Sequence, residues 1–318
     1  MELSDTVKQL AVLPNNTRLE SSDPLEQFLA GQLSERTRHA YHADLCHFFG
    51  TAKITLEKIR AVSFHDIVAF RNELAAEGYQ RTSINRKLSS LKSFFRMMTA
   101  AGLIEKNPAD SALVRGYRIE GNLTGKAIHK KALEQVVQAI SEEKDELVRA
   151  RNTAMVYLLT YGGLRRSEAA SASWEDLVQE GVFHVLKLPV TKSGVPQHIK
   201  LQPIVIHHLE QYKSVLLANG FPAEGRILLG HSNRSRGKPL TDQSINSIVK
   251  RYALRAGVSQ NITAHMFRHT CCTLAIEGGA KPQQVQAHLR HKDLKTTMRY
   301  YEHRDHLTDN ASDYIRIG

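Results

Sequence analysis

Apolar stripes at intervals of three and four fill residues 23–106, stop at Asn107-Pro108 and give way to a different pattern beyond it. That change of period constrains the fold more than any other feature, because it divides the 318 residues into an all-helical part and a mixed part. In the first part, Asp23 before Pro24 reads as an N-cap with Pro at N1, followed by Leu25, Phe28 and Leu29 at helical spacing. Ser34 can cap a second helix with Tyr41, Leu45, Phe48 and Phe49 on one face. Ser63 and Asp66 resemble a capping box, and Ile67, Phe70 and Leu74 continue as a third stripe until Gly78 stops it. Ile84, Leu88, Leu91, Phe95 and Met98 predict a long fourth helix from about Thr82 to Ala101. Beside that stripe lie Asn85, Ser89, Lys92 and Arg96, a polar flank able to face phosphates, although each alone fits an ordinary solvated face.

Residues 113–127 carry three Gly, mixed charge and no clear period, and read as a linker. Helices are predicted over 131–143, 149–161, 203–219 and 241–256, the last with Ile245, Ile248, Val249 and Tyr252 as its buried stripe. VFHVLKLPV and QHIKLQPIV flank a KSGVP turn and suggest a β-hairpin. Three more short helices fit within 263–303. The expected organisation is a tail over 1–22, an all-α bundle over 23–112, a linker over 113–127 and, over 128–318, a mainly α domain with a small antiparallel sheet.

Charge then narrows the partners. The net charge is +11, which favours a polyanion, most often nucleic acid. Residues 1–120 hold 16 basic against 14 acidic side chains, leaving 27 against 18 for the rest, so the C-terminal part would feel a phosphate backbone most strongly. No run of eighteen apolar residues suggests a membrane span, and MELSDTVKQLAVLPNN lacks the pattern of a secretory signal. Cys46, Cys271 and Cys272 form neither a disulfide framework nor a CxxC knuckle, in keeping with a reducing, cytoplasmic, nucleoid-associated setting. Phe267, Cys271 and Leu274 make an i, i+4, i+7 apolar stripe, so Cys271 reads as core.

Several familiar machines are excluded. GHSNRSRGKP has the wrong spacing for a P-loop, no GxGxxG follows a strand, and there is no HExxH. The pairs His288/His291 and His303/His306 have nothing nearby to complete a metal-ligand set, so neither a metal nor another cofactor is expected. What remains is a set of basic and nucleophilic side chains in one order. Arg165 lies in TYGGLRRSEAASASWEDL, Lys192 in PVTKSGVPQHIKL, His265 and Arg268 in HMFRH, and His291 and Tyr300 in HLRHKDLKTTMRYY.

In type, order and spacing, including the nine-residue step from His291 to Tyr300, these residues resemble the tyrosine recombinases of the phage-integrase and Xer type. SERTRHAYHADLCHFF and RTSINRKLSSLKSFFRMM similarly resemble that family's core-binding (SAM-like) domain. The chemistry of the residues agrees. Cleaving a phosphodiester without a metal needs a nucleophile, charge on the non-bridging oxygens and a proton for the leaving oxygen. Arg165 and Arg268 can fork onto phosphate oxygens and stay protonated. Lys192 at a turn can approach the leaving 5′-oxygen as general acid. A tyrosine hydroxyl titrates near pH 10, so Tyr300 needs a positive pocket or a base, which His265 and the two arginines can supply. His291 would donate to the scissile phosphate. Glu168 would buttress Arg165 through a buried ion pair. Tyr301 is an alternative nucleophile, disfavoured by the spacing.

The resemblance implies a two-domain clamp on duplex DNA with inverted-repeat half-sites. It further implies a homo-tetramer on two synapsed sites, with the segment after Tyr300, roughly HLTDNASDYIRIG, docked on a neighbouring protomer. It implies strand exchange through a 3′-phosphotyrosyl link, giving integration, excision or resolution, and the length leans toward Xer-like or mobile-element enzymes. Asn85, Lys92, Arg96, Arg166 and Arg290 are the candidate DNA contacts; at Arg290 the family has Gly in an LGH run, and here the run is Leu289-Arg290-His291. A relaxing topoisomerase of the same chemistry and a catalytically silent DNA-binding regulator stay open, and the filled six positions argue against silence.

Overall fold

The computed structural model describes residues 23–119, 127–188, 196–259 and 261–304. It is mainly helical, and the chain divides into two compact units near residue 120.

In the first unit the helices are α1 (Pro24–Ala30), α2 (Glu35–Phe49), α3 (Leu56–Ala61), α4 (Phe64–Ala76) and α5 (Arg81–Ala100). The start signals act largely as read. Asp23 accepts from the Leu25 N–H ahead of Pro24, and Ser63 and Asp66 form a reciprocal capping box. Ser34 stands at the α2 N-cap, but its side chain makes no capping bond. Helix α3, capped by Thr55, is too short to show a period, and the sequence pattern missed it. The α5 stripe of Ile84, Leu88, Leu91, Phe95 and Met98 is fully buried, with Phe94 packed edge-on against Phe28 at 5.3 Å.

One carboxylate sits inside this core. Asp44 is 1% exposed and holds Arg86 bidentately, with Nη2 2.8 Å from Oδ1, while Lys87 Nζ lies 3.2 Å and Ser90 Oγ 2.6 Å away. The pairing ties α2 to α5. The expected linker also begins too early. Val114 is fully buried, and the Asn85 side chain bonds both the N–H and the carbonyl of Tyr117 at 2.8 Å, so residues 113–119 are strapped onto α5.

In the second unit the helices are α6 (Lys130–Ser141), α7 (Glu146–Gly162), α8 (Arg166–Ser171), α9 (Pro203–Ala218), α10 (Asp242–Arg255), α11 (Ala264–Glu277), α12 (Pro282–Leu289) and α13 (Leu294–Arg304). Helix α7 is buried along most of its length, and α9 and α11 pack on it. The sheet is antiparallel in the order β1 (Leu177–Glu180), β2 (Phe183–Leu188), β3 (Gln197–Leu201), with Leu186 opposite both Leu177 and Ile199. Strands β2 and β3 are the expected hairpin, and β1 adds a third strand that its half-polar sequence concealed. Strand β3 ends at Leu201, because Pro203 takes the N1 position of α9 and turns the rest of QHIKLQPIV into helix. Among the described residues no helix is long and apolar enough to cross a membrane.

Candidate active site

The site is built on the turn that ends α7. Gly163 closes that helix at φ +55°, a left-handed conformation that glycine adopts without penalty. A Cβ there would meet Leu289 Cδ2 at 2.4 Å and Cys271 Sγ at 3.2 Å. Two residues on, Arg165 is the N-cap of α8 and Glu168 its third residue, the spacing at which a carboxylate reaches back to the cap. Glu168 accepts from the Arg165 N–H at 2.8 Å and from the Arg165 guanidinium at 2.5 Å. Its other side faces Arg290, whose Nη2 lies 2.7 Å away. Burial pushes the Glu168 carboxyl up, but the Arg290 charge and the Arg165 bonds outweigh it and hold it below the usual carboxylate value. Glu168 and Arg290 are each 4% exposed, whereas the Arg165 side chain is 30% exposed.

Helix α11 carries the second arginine. Arg268 is buried and donates to the carbonyls of Gly163, at 2.5 Å, and Leu289, which fixes it between the α7 turn and the end of α12. Burial, then the neighbouring charges of Arg165 and Arg290, bring its pKa down to about 10, still protonated at neutral pH. Arg290 ends α12 in the left-handed conformation, φ +56°, the one non-glycine residue with positive φ among the described residues. His291 follows, with Nδ1 2.8 Å from the hydroxyl of the buried Thr297. Burial first, then the charges of Arg268, Arg165 and Arg290, lower His291 to about 4, so it is neutral at pH 7. Arg165, Arg290, His291, Lys292 and Gln197 line one open groove of about 840 Å³.

A second group lies on the next face of α11. His265 is exposed, and its ring meets that of His269 edge-on at 4.6 Å. His269 Nδ1 is hydrogen-bonded to the Tyr300 hydroxyl, with ring centroids 5.6 Å apart. Tyr300 and Tyr301 both pack on the cluster of Cys271, Cys272, Ile276, Val285 and Leu289, and the Tyr301 hydroxyl donates to the Ala280 carbonyl. Sequence reasoning passed over His269. Its signal was present, since a histidine adjacent to Arg268 and one turn beyond His265 must share their end of the helix. Cys271 joins this small cluster, while Phe267 belongs to the main core.

Arg165, Arg268, His291 and Glu168 therefore come together, and His265 and Tyr300 come together around His269. Lys192 lies outside the described residues, as does the segment over 305–318. The expected DNA contacts fare differently. Arg290 is a buried ion-pair partner rather than a surface cation, because Glu168 draws it inward. Arg166 is paired with Asp242 at 2.9 Å. Asn85 has both polar atoms bound to Tyr117. Lys92 is half-buried and Arg96 exposed on α5. Among the described residues no group of three or more His, Cys, Asp or Glu could hold a metal ion.

Comparison with known proteins gives the same answer for both units. Residues 126–306 match the model of the phage integrase family, and residues 25–102 match the phage integrase N-terminal SAM-like domain. The chain is 30% identical to the tyrosine recombinase XerC of Thermodesulfovibrio yellowstonii over 268 residues, 84% of this chain and 85% of that one. It is 30% identical to the tyrosine recombinase XerD of Proteus mirabilis over 301 residues, 90% of each. Its fold is similar to that of a lambda integrase dimer bound to a COC′ core site, with a TM-score of 0.67, 20% identity and coverage of 93% of this chain and 97% of that one.

Proposed function

The chain belongs to the phage integrase family of tyrosine recombinases, enzymes of site-specific DNA recombination, and on that premise we propose that Tyr300 is the nucleophile and Arg165, Arg268, His265, His291 and Lys192 are the groups that act with it. The observation that carries this reading is the meeting of Arg165, Arg268 and His291 around one buried carboxylate, Glu168. The two guanidiniums bear on the non-bridging oxygens as negative charge grows there. With the Thr297 hydroxyl 2.8 Å from Nδ1, the Nε2–H tautomer of neutral His291 accepts from Thr297 and can donate a hydrogen bond to a phosphate oxygen. His265 adds a donor from the exposed end of α11. Tyr300 Oη attacks phosphorus, the bond from phosphorus to the 5′-oxygen breaks, and Lys192 protonates the leaving oxygen. The 3′-phosphotyrosyl ester conserves the bond energy, so a 5′-hydroxyl of a partner strand reverses the step without ATP. Between the two tyrosines, the Tyr301 hydroxyl is engaged by a backbone carbonyl, which supports Tyr300.

The DNA partner is a duplex with inverted half-sites, synapsed by a homo-tetramer in the cytoplasm, and the segment over 305–318 docks on a neighbouring protomer. Deleting 305–318 is expected to weaken synapsis in a two-duplex pull-down, and unchanged recombination would refute the docking. Lys92 and Arg96 serve as phosphate contacts from α5. The decisive experiment is capture on a nicked suicide duplex. The native chain should give a protein–DNA band that resists denaturant, and Tyr300→Phe should give none. An adduct in Tyr300→Phe that disappears in Tyr301→Phe would move the nucleophile by one residue.

A further inference from the structure

We infer that His269 is the general base of the reaction: it takes the phenolic hydrogen of Tyr300 as Oη attacks phosphorus and returns it on rejoining. The inference rests on the reading of Tyr300 as nucleophile and adds to it the destination of the proton.

The geometry is direct. The Tyr300 hydroxyl is hydrogen-bonded to Nδ1 of His269, the rings lying 5.6 Å apart and tilted by 32°. A phenol has one hydrogen to donate, and a neutral imidazole with its proton on Nε2 accepts at Nδ1. In that tautomer the hydrogen is aimed at the nitrogen that would receive it, the contact a general base requires. Both partners are held. Tyr300 packs on the cluster of Cys271, Cys272, Ile276, Val285 and Leu289, and the His265 ring meets His269 edge-on at 4.6 Å. Helix α11 also separates the tasks. Arg268 is anchored to the Gly163 and Leu289 carbonyls, and the very next residue turns by about a quarter of the helix circumference onto Tyr300.

A base is needed here. A phenol with an ordinary pKa near 10 is about 0.1% ionised at neutral pH, and arginine charge makes the phenolate cheaper without removing the hydrogen. Imidazole, with an ordinary value near 6.5, is matched to the task at neutral pH. In cleavage the hydrogen passes from Oη to Nδ1, the bond from Oη to phosphorus forms, and the bond from phosphorus to the 5′-oxygen breaks, that oxygen taking its proton from Lys192. In rejoining the 5′-hydroxyl gives its proton back to Lys192 and attacks phosphorus, and Oη leaves with the hydrogen from Nδ1. Charges and protons balance in both directions with no further reagent.

The test is single-turnover cleavage by the full chain of a nicked suicide duplex, its sequence selected from a randomised duplex library by binding to Tyr300→Phe. His269→Asn keeps an acceptor near the Nδ1 position but cannot take a proton at neutral pH. It should bind the duplex as the native chain does and cleave about 10²–10⁴-fold more slowly. Replacing Tyr300 by a trifluorotyrosine, largely ionised at neutral pH, should recover most of that loss in the His269→Asn background. Native-rate cleavage by His269→Asn overturns the inference, as does a loss that trifluorotyrosine leaves untouched. Should His269→Asn fail to melt cooperatively, His269→Gln and His269→Ala with added imidazole replace it; recovery by imidazole supports the inference, and its absence in a folded variant overturns it. An adduct that still forms in Tyr300→Phe overturns the nucleophile assignment itself, a result separate from all of these.

Discussion

Each unit of this protein buries one carboxylate among cations, and the two arrangements differ in what they leave over. Asp44 in the first unit is surrounded: Arg86 grips it bidentately, and Lys87 and Ser90 take its remaining lone pairs. Glu168 in the second unit is shared between Arg165 and Arg290, and the Arg165 side chain keeps part of its guanidinium in the open. The first arrangement fixes two helices against each other. The second fixes a cation whose other hydrogens face a groove. A buried ion pair is weak proof of stability and no proof of function. What separates the two pairs here is the donor capacity that remains after the carboxylate has been satisfied.

The largest effects should come from removing the carboxylates. Asp44→Asn and Glu168→Gln each strand buried positive charge, and urea denaturation should register a loss of about 3–5 kcal/mol in either case. Cleavage per folded molecule should survive Asp44→Asn and fall steeply in Glu168→Gln; equal activity of the two folded variants would erase the distinction drawn above. Next in size, Arg165→Lys keeps the charge and loses the fork, and single-turnover cleavage should drop by about 10²–10³. Arg86→Lys, on the same assay, should be close to silent.

Acid should act through the second unit. Burial holds His291 at about 4, and likewise His231, whose Nε2 lies 3.0 Å from the hydroxyl of Tyr212 on α9; both are below the ordinary 6.5, so the unfolded chain binds their protons first. Their contribution is complete above pH 6.5 and is lost as pH falls from there toward 4. Melting temperature followed across that window should decline, and His291→Asn should flatten the slope. Smallest of all, Arg290→Gly relieves a left-handed conformation worth about 1–2 kcal/mol and gives up one ion pair to Glu168. The melting temperature should move by only a few degrees, while the His291 titration followed by NMR should shift upward because a neighbouring positive charge is gone.

The legible parts of the sequence were those where periodicity and order carry meaning. The α5 stripe needed only apolar spacing, and the candidate set of Arg165, Arg268 and His291 needed only residue type and sequence separation. Strand β1 and helix α3 were illegible because each is too short to display a period. Arg290 and Asn85 have partners that the sequence did not show, for a different reason. A cation or an amide on a polar flank looks available until the chain brings Glu168 or the Tyr117 backbone beside it, and neither neighbour is near in sequence. His269 was passed over because its partner, Tyr300, lies 31 residues away on another helix.

The crowding at Gly163 reaches further than its own turn. That residue offers its carbonyl to Arg268, stands two positions before Arg165, and has the Leu289 methyl where a side chain would have to go. Three distant stretches of chain are thereby registered against one hydrogen atom, like gears cut to a single tooth. Adding one methyl group there would displace Arg165 and Arg268 together, so substitutions at this position should be tolerated less well than at either arginine it serves.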